Sequence, residues 1–324
     1  MKTLLRMANV GLLLVTGNCS PSGAGEVGAE STPLAAPIEY VLPQQGEAVP
    51  RSAWEAEFPE RIERRGTPAQ PDRRITGIKI PSVTLMLPAG KPTAACLVCP
   101  GGAYGALSFD KEGLVIGQWL RQRGIAAGVL KYPVAGKHDQ PLISWEVQPL
   151  DAAHAAIRLL KVQLEVPVGV IGFSAGGHLA ATVANDVRDP EKSASPRLQV
   201  DTQLAFHALL YPVITLEDGK THRGSRLKLL GDNATQQQLE HWSMERRVTT
   251  TTSPGFVVAT VDDRVVPAIN STQYANACIA KGVPVELHLF EKGGHGYGMW
   301  TKDRRLSTWP ALFDEWLTTR GFIR

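Results

Sequence analysis

An apolar run over residues 168–173 ends in Gly172-Phe173-Ser174-Ala175-Gly176, and a helical pattern over 177–185 follows at once. No other feature restricts the fold as tightly. Glycines two residues to either side of a serine suit a strained turn from strand to helix, because they remove the Cβ atoms that would clash there. The turn lifts the hydroxyl above the sheet, and the helix N-terminus beside it favours developing negative charge. The five-residue pattern arises often by chance, so the strand before it and the helix after it carry the weight. Ser174 is the candidate nucleophile.

Such a turn needs a sheet around it. Strands are expected at 78–87, 94–100, 125–132, 168–173, 204–214, 256–261 and 285–290, and helices at 113–123, 150–162, 177–185, 272–280 and 309–319. Strands alternating with helices predict the α/β class, a mostly parallel sheet with helices on both faces. The polar stretch 215–252 breaks the alternation and is expected as an insertion over the site. Cys96 and Cys99 lie three apart in a buried strand, so their side chains face opposite ways. They read, with Cys278, as core residues rather than a metal or disulfide pair.

A serine hydroxyl is a weak nucleophile and needs a base. Of the eight histidines, His295 is favoured, because it follows the strand 285–290 and has glycine on both sides. His178, four residues past the serine, is expected to pack in the helix or to bind substrate. The acid that orients the base should follow a buried strand. Asp262 and Asp263, in Thr260-Val261-Asp262-Asp263-Arg264-Val265-Val266-Pro267, both qualify. Oxyanion donors are expected from the N–H of Ala175, directly after the nucleophile, and from the turn Pro100-Gly101-Gly102-Ala103-Tyr104, by position through Gly102 and Ala103.

Several further motifs now form a set: Cys99 through Tyr104, Leu130-Lys131-Tyr132, Asp151 through Arg158, Gly172 through Leu179, Tyr211-Pro212-Val213-Ile214, Gly231-Asp232, Asp263 through Pro267, Asn270-Ser271, and Glu291 through Tyr297. With them the chain resembles bacterial α/β-hydrolases of the acetyl-xylan-esterase-like, or carbohydrate esterase, group. That group is often labelled endo-1,4-beta-xylanase and is related to the dienelactone-hydrolase and feruloyl-esterase branches. The resemblance runs from about Ile75 to Gly321. It implies a nucleophile-elbow fold with the chain order Ser, Asp, His. It also implies Asp263 as the acid, by its register four residues before Pro267; Asp262 is the alternative, since some prolyl-oligopeptidase-like enzymes use the first aspartate of such a pair. One departure is Ala103, where a third glycine is usual; an alanine N–H still donates.

The implied activity is serine-dependent ester hydrolysis, removing acetyl groups from a polysaccharide or oligosaccharide, with no cofactor or metal. A xylanase activity is not expected, because glycoside cleavage normally uses two opposed carboxylates. Two other readings stand beside it. A prolyl-oligopeptidase-like serine peptidase draws on the stretch Asp262 through Pro267, although the chain lacks the length for a propeller in front. A non-catalytic carbohydrate-binding scaffold conflicts with all three triad residue types sitting on the expected elements.

Residues 1–19 read as an export signal: Lys2 and Arg6 precede the apolar run Val10 to Val15, and residues 1–18 hold no acid. Cys19 lies where a lipoprotein carries its lipid anchor, but Asn18 before it is a poor fit. Residues 20–74 read as a linker and N-terminal extension, with Trp54 and Phe58 as its anchors, and 75–324 as the catalytic domain. No run reaches the roughly 18 apolar residues of a membrane span. The formal charge of +3 suggests neither nucleic acid nor anionic lipid as partner, and the sequence leaves the oligomeric state open.

Overall fold

The computed structural model describes residues 34–42, 60–135, 141–142, 148–185 and 202–323. The expected export signal, Cys19, Trp54 and Phe58 lie outside them. Eleven strands are present among the described residues: β1 (Ile38–Val41), β2 (Arg61–Thr67), β3 (Gln70–Thr76), β4 (Ser82–Met86), β5 (Ala94–Cys99), β6 (Leu107–Ser108), β7 (Ile125–Lys131), β8 (Val168–Phe173), β9 (His207–Leu210), β10 (Gly255–Thr260) and β11 (Val285–Phe290). The α-helices are α1 (Val115–Arg121), α2 (Pro149–Leu164), α3 (Ala175–Ala184), α4 (Arg223–Leu230), α5 (Gln236–His241), α6 (Ile269–Ala280) and α7 (Trp309–Thr319).

Eight strands form one sheet in the order β1-β4-β7-β5-β8-β9-β10-β11. The two pairings that involve β4 are antiparallel, and every pairing from β7 to β11 is parallel. β5, β8, β9 and β10 are buried at every residue, which is why they read as near-continuous apolar runs without alternation. Two neighbours on β7 locate the covering helices. A Cβ on Gly128 would meet Leu160 of α2 at 3.2 Å, whereas the next side chain, Val129, lies against Gly117 of α1. Adjacent strand residues point to opposite faces, so α1 and α2 cover opposite sides of the sheet. This is the mostly parallel sheet with helices on both faces that the alternating pattern predicts.

The strands end differently from the sequence reading on the amino-terminal side. Ile38–Val41 pairs with β4 as the sheet's outer strand, and β2 and β3 form an antiparallel hairpin extended by β6. The boundary expected at residue 75 thus falls inside a paired strand, Gln70–Thr76. All seven residues of β2 are exposed and several are charged, so hydrophobic periodicity has nothing there to report. The hairpin is tied to the body by Arg73, whose guanidinium meets the buried Asp110 at 2.6 Å and whose N–H donates to the same carboxylate at 2.6 Å. Cys96, Cys99 and Cys278 are free and buried, as core residues should be.

Toward β10 the core is aromatic. Phe206 packs against Phe313, Trp316 and Phe322 with ring centroids 6.4, 6.1 and 4.8 Å away. Its ring occupies the space left by Gly169, where a Cβ would lie 2.3 Å from it. Gly169→Ala should therefore destabilise the fold by about 1–3 kcal/mol, read as a lower urea midpoint. Phe206→Leu in the same chain should recover part of that loss; an unchanged midpoint for Gly169→Ala would contradict this packing.

Candidate active site

Each loop that follows β5, β8, β9, β10 and β11 reaches the same end of the sheet, the carboxyl ends of parallel strands where open α/β sheets place their sites. The turn after β8 holds Ser174 at φ 53°, ψ −120°, and α3 starts at the next residue. The glycines have steric reasons. A Cβ on Gly172 would lie 2.2 Å from the Gly176 carbonyl oxygen, and one on Gly176 would lie 2.2 Å from that of Cys99. Ser174 is 7% exposed, so its hydroxyl sits in a recess.

The structure brings Ser174, His295 and Asp263 into one hydrogen-bonded chain. His295 Nε2 lies 2.8 Å from Ser174 Oγ, and its Nδ1 lies 2.7 Å from Asp263 Oδ2. A carboxylate at Nδ1 places the ring proton there and leaves the Nε2 lone pair to accept the serine proton. Asp263 Oδ1 accepts the N–H groups of Val265 and Val266 at 2.8 and 2.9 Å. Asp262 does different work: its exposed carboxylate accepts the Gly294 N–H at 2.8 Å, and that bond holds its pKa below the ordinary value. One aspartate therefore meets the imidazole, and its neighbour meets the loop that carries the imidazole. Gly293, Gly294, Gly296 and Gly298 all have positive φ, a backbone that turns this loop tightly around His295.

On the other side of Ser174 stands the turn 100–104. A Cβ on Gly101 would lie 2.9 Å from that of Ser174, so the turn is in contact with the serine. Gly102 (φ 140°), Ala103 (φ 57°) and Tyr104 (φ 58°) fold it back on itself, and Gly105 and Ala106 both donate to the Gly102 carbonyl. Among the described residues, no backbone hydrogen bond of the turns and loops uses the N–H of Gly102, Ala103 or Ala175.

His178 links this turn to the insertion. Its Nε2 lies 2.7 Å from the Trp242 carbonyl, which fixes the proton on that nitrogen, and Nδ1 accepts from the Tyr104 hydroxyl at 2.8 Å. It is thus a packing residue, neutral and enclosed. The stretch 215–252 forms α4, α5 and a short turn, Met244–Arg246. It covers the site turn from outside, with Lys228 Cε 3.3 Å from where a Gly105 Cβ would stand.

Two residues without an expected role lie behind the histidine. Glu112 is buried, accepting from Gly101 N–H and from Tyr211 O–H, each at 2.8 Å. Burial is the main influence on it and raises its pKa, against the pull of those two hydrogen bonds. The Tyr211 ring stands edge-on to His295 with centroids 4.9 Å apart. A signal for Glu112 existed: it shares a four-residue spacing with buried Ile116 and Leu120, and an acid on an apolar stripe requires partners. Tyr211 was visible only as part of the resemblance.

The sequence profile of the prolyl oligopeptidase family matches residues 150–319. An acetylxylan esterase of Xylanibacter ruminicola is 29% identical over 245 residues, covering 72% of this chain and 46% of that protein. Endo-1,4-beta-xylanase B of Butyrivibrio fibrisolvens is 32% identical over 222 residues, covering 66% of this chain and 34% of that protein. The chain therefore spans less than half the length of the curated relatives it matches. Among solved structures, an acetyl ester-xyloside bifunctional hydrolase from Caldicellulosiruptor lactoaceticus is 34% identical, with a TM-score of 0.65, over 75% of this chain and 89% of that one. The expected likeness to the acetyl-xylan-esterase-like group is borne out by these relatives.

The enclosure of His178 has a thermodynamic consequence. Burial pushes its pKa down to about 4, so between roughly pH 6.5 and 4 the unfolded chain takes up a proton that the folded chain refuses. Stability should fall as the pH drops through that window, by on the order of 3 kcal/mol from this residue. His207, which burial pushes down to about 3, adds in the same direction. Urea midpoints across this range check it. In His178→Gln the slope should be shallower; an equal slope would mean that His178 titrates normally.

Proposed function

The chain belongs to the prolyl oligopeptidase family, and within it we propose that this protein is a serine carboxylic-ester hydrolase that removes acetyl groups from a polysaccharide or oligosaccharide. The observation that supports this reading most directly is the hydrogen-bonded chain from Ser174 Oγ through His295 to Asp263, beside a turn with uncommitted N–H groups. Ser174 attacks the acetyl carbonyl carbon while His295 Nε2 takes its proton. The tetrahedral oxyanion accepts hydrogen bonds from Ala175, Gly102 and Ala103. Collapse breaks the bond to the sugar oxygen, which leaves with the proton returned by His295, and an acetyl-enzyme remains. Water, deprotonated by the same nitrogen, then releases acetate and restores the serine. Asp263 keeps the ring proton on Nδ1 throughout and stabilises the cationic imidazole.

The substrate class rests on the relatives' names and on the amino-terminal pattern. Residues 1–19 are taken as an export signal, which would bring the protein to polymers outside the cell; lipidation at Cys19 is the competing fate of that segment. Among the described residues no helix is long and apolar enough to cross a membrane. A second reading, a prolyl-oligopeptidase-like peptidase, draws on the family match itself. A proline-containing peptide nitroanilide turned over faster than any ester would establish it instead.

Turnover of 4-nitrophenyl acetate and acetate release from acetylated xylan test the proposal. Ser174→Ala should lower both by about a thousandfold or more, and Asp263→Asn by a similar factor. Asp262→Asn should cost no more than about tenfold, since it removes a loop contact only. Retained activity in Ser174→Ala would end the serine assignment. Reversed effects of the two aspartate variants would transfer the acid's role to Asp262. Ester turnover without acetate release from any acetylated glycan would end the substrate assignment.

A further inference from the structure

Behind the chain from Ser174 to Asp263 lies a second hydrogen-bonded chain that the proposed reaction does not use. It runs from Gly101 N–H to Glu112 Oε2 at 2.8 Å, and from Glu112 Oε1 to the Tyr211 hydroxyl at 2.8 Å. The Gly298 N–H closes it, donating to the Tyr211 hydroxyl at 3.0 Å. Because that N–H already points at the phenolic oxygen, the phenolic proton is directed to Glu112. The carboxyl thus accepts on both oxygens. We propose that Glu112 is a positioning residue for acyl transfer, holding the turn 100–104 and the His295 loop in one register through Tyr211. The inference rests on the serine-esterase reading.

At one end, Glu112 grips the peptide that touches the nucleophile. A Cβ on Gly101 would meet Glu112 Oε2 at 2.6 Å and Ser174 Cβ at 2.9 Å, so the glycine is wedged between carboxylate and serine. The two N–H groups that follow, on Gly102 and Ala103, take their direction from that peptide. At the other end, Tyr211 is 1% exposed with φ 38°, a left-handed backbone that side-chain-bearing residues rarely adopt. Its N–H is bound to the Val258 carbonyl at 2.7 Å, and its ring packs edge-on against those of His295 and Tyr297, with centroids 4.9 and 4.4 Å away. Anchored at its backbone and at its hydroxyl, the tyrosine forms a fixed wall for the imidazole.

Glu112 acts through others. The two ring nitrogens of His295 are taken by Ser174 and Asp263, so the carboxylate touches no reacting atom. Burial of an acid is unfavourable unless its oxygens are met by donors, and here both donors belong to loops that flank the proposed reaction centre. A volume-filling side chain would not need to reach both.

The test compares kcat and KM for 4-nitrophenyl acetate in Tyr211→Phe, Glu112→Gln and the double variant, with Ser174→Ala in parallel. Tyr211→Phe keeps the ring and removes only the hydroxyl, so it decides the matter even if Glu112→Gln does not fold. Each single variant should lose about tenfold or more in kcat, with KM within about twofold of the unmodified protein. The double variant should lose no more than the worse single, because both cut one chain. A kcat for Tyr211→Phe within about twofold of the unmodified protein, a rise in KM alone, or losses that multiply in the double variant would each overturn the proposal. If instead Ser174→Ala keeps its turnover, the esterase reading itself fails and takes this proposal with it, a result distinct from an unchanged kcat in Tyr211→Phe alone.

Discussion

The tight packing around Ser174 is the constraint on which the rest of the site depends. The elbow exists because three neighbouring positions hold no Cβ: Gly172 against Gly176, Gly176 against Cys99, and Gly101 against Phe173 and Ser174. A side chain at any of them would push strand, helix or turn away from the serine. The close approach brings the N-terminus of α3, the end of β5 and the nucleophile within van der Waals reach. It also leaves the Ser174 backbone at φ 53°, a strained value that the enclosure on all sides sustains.

That strain is not isolated. Five residues other than glycine have positive φ among the described residues, and four of them, Ala103, Tyr104, Ser174 and Tyr211, surround the proposed reaction centre. Such conformations cost on the order of 1–3 kcal/mol each and persist only where surrounding structure over-determines them. Here that structure is a set of wholly buried parallel strands, β5, β8, β9 and β10, whose ends launch the strained turns. The rigid sheet and the strained loops are therefore two halves of one arrangement. The first makes the second possible.

What was legible in the sequence follows from how local each cause is. The elbow was legible because glycine, serine and the following helix act within five residues. The inner strands were legible because burial on both faces leaves mostly apolar residues to write them. His295 was legible through the glycines that let its loop bend. Asp262 and Asp263 were not separable, since both lie on one turn and differ only in which carboxylate meets the ring. Glu112 carried a local hint but not its meaning, because its partners stand 11 and 99 positions away. The hairpin strand β2 escaped notice for the opposite reason: exposed and charged, it owes its form to backbone pairing with β3 rather than to any apolar rhythm.

The clasp between Arg73 and Asp110 bears on how this molecule can be divided. Asp110 opens the π-helical turn Asp110–Leu114 that also bears Glu112, and its carboxylate is buried against a guanidinium from the amino-terminal hairpin. A fragment trimmed to the region of recognisable hydrolase motifs would lose the arginine and strand a charge inside the protein. The turn most exposed to that loss is the one that carries Glu112, two residues beyond Asp110. The hairpin, for all its surface character, thus belongs to the smallest piece that can be lifted out intact. A graft or a shortened chain has to begin upstream of Arg73.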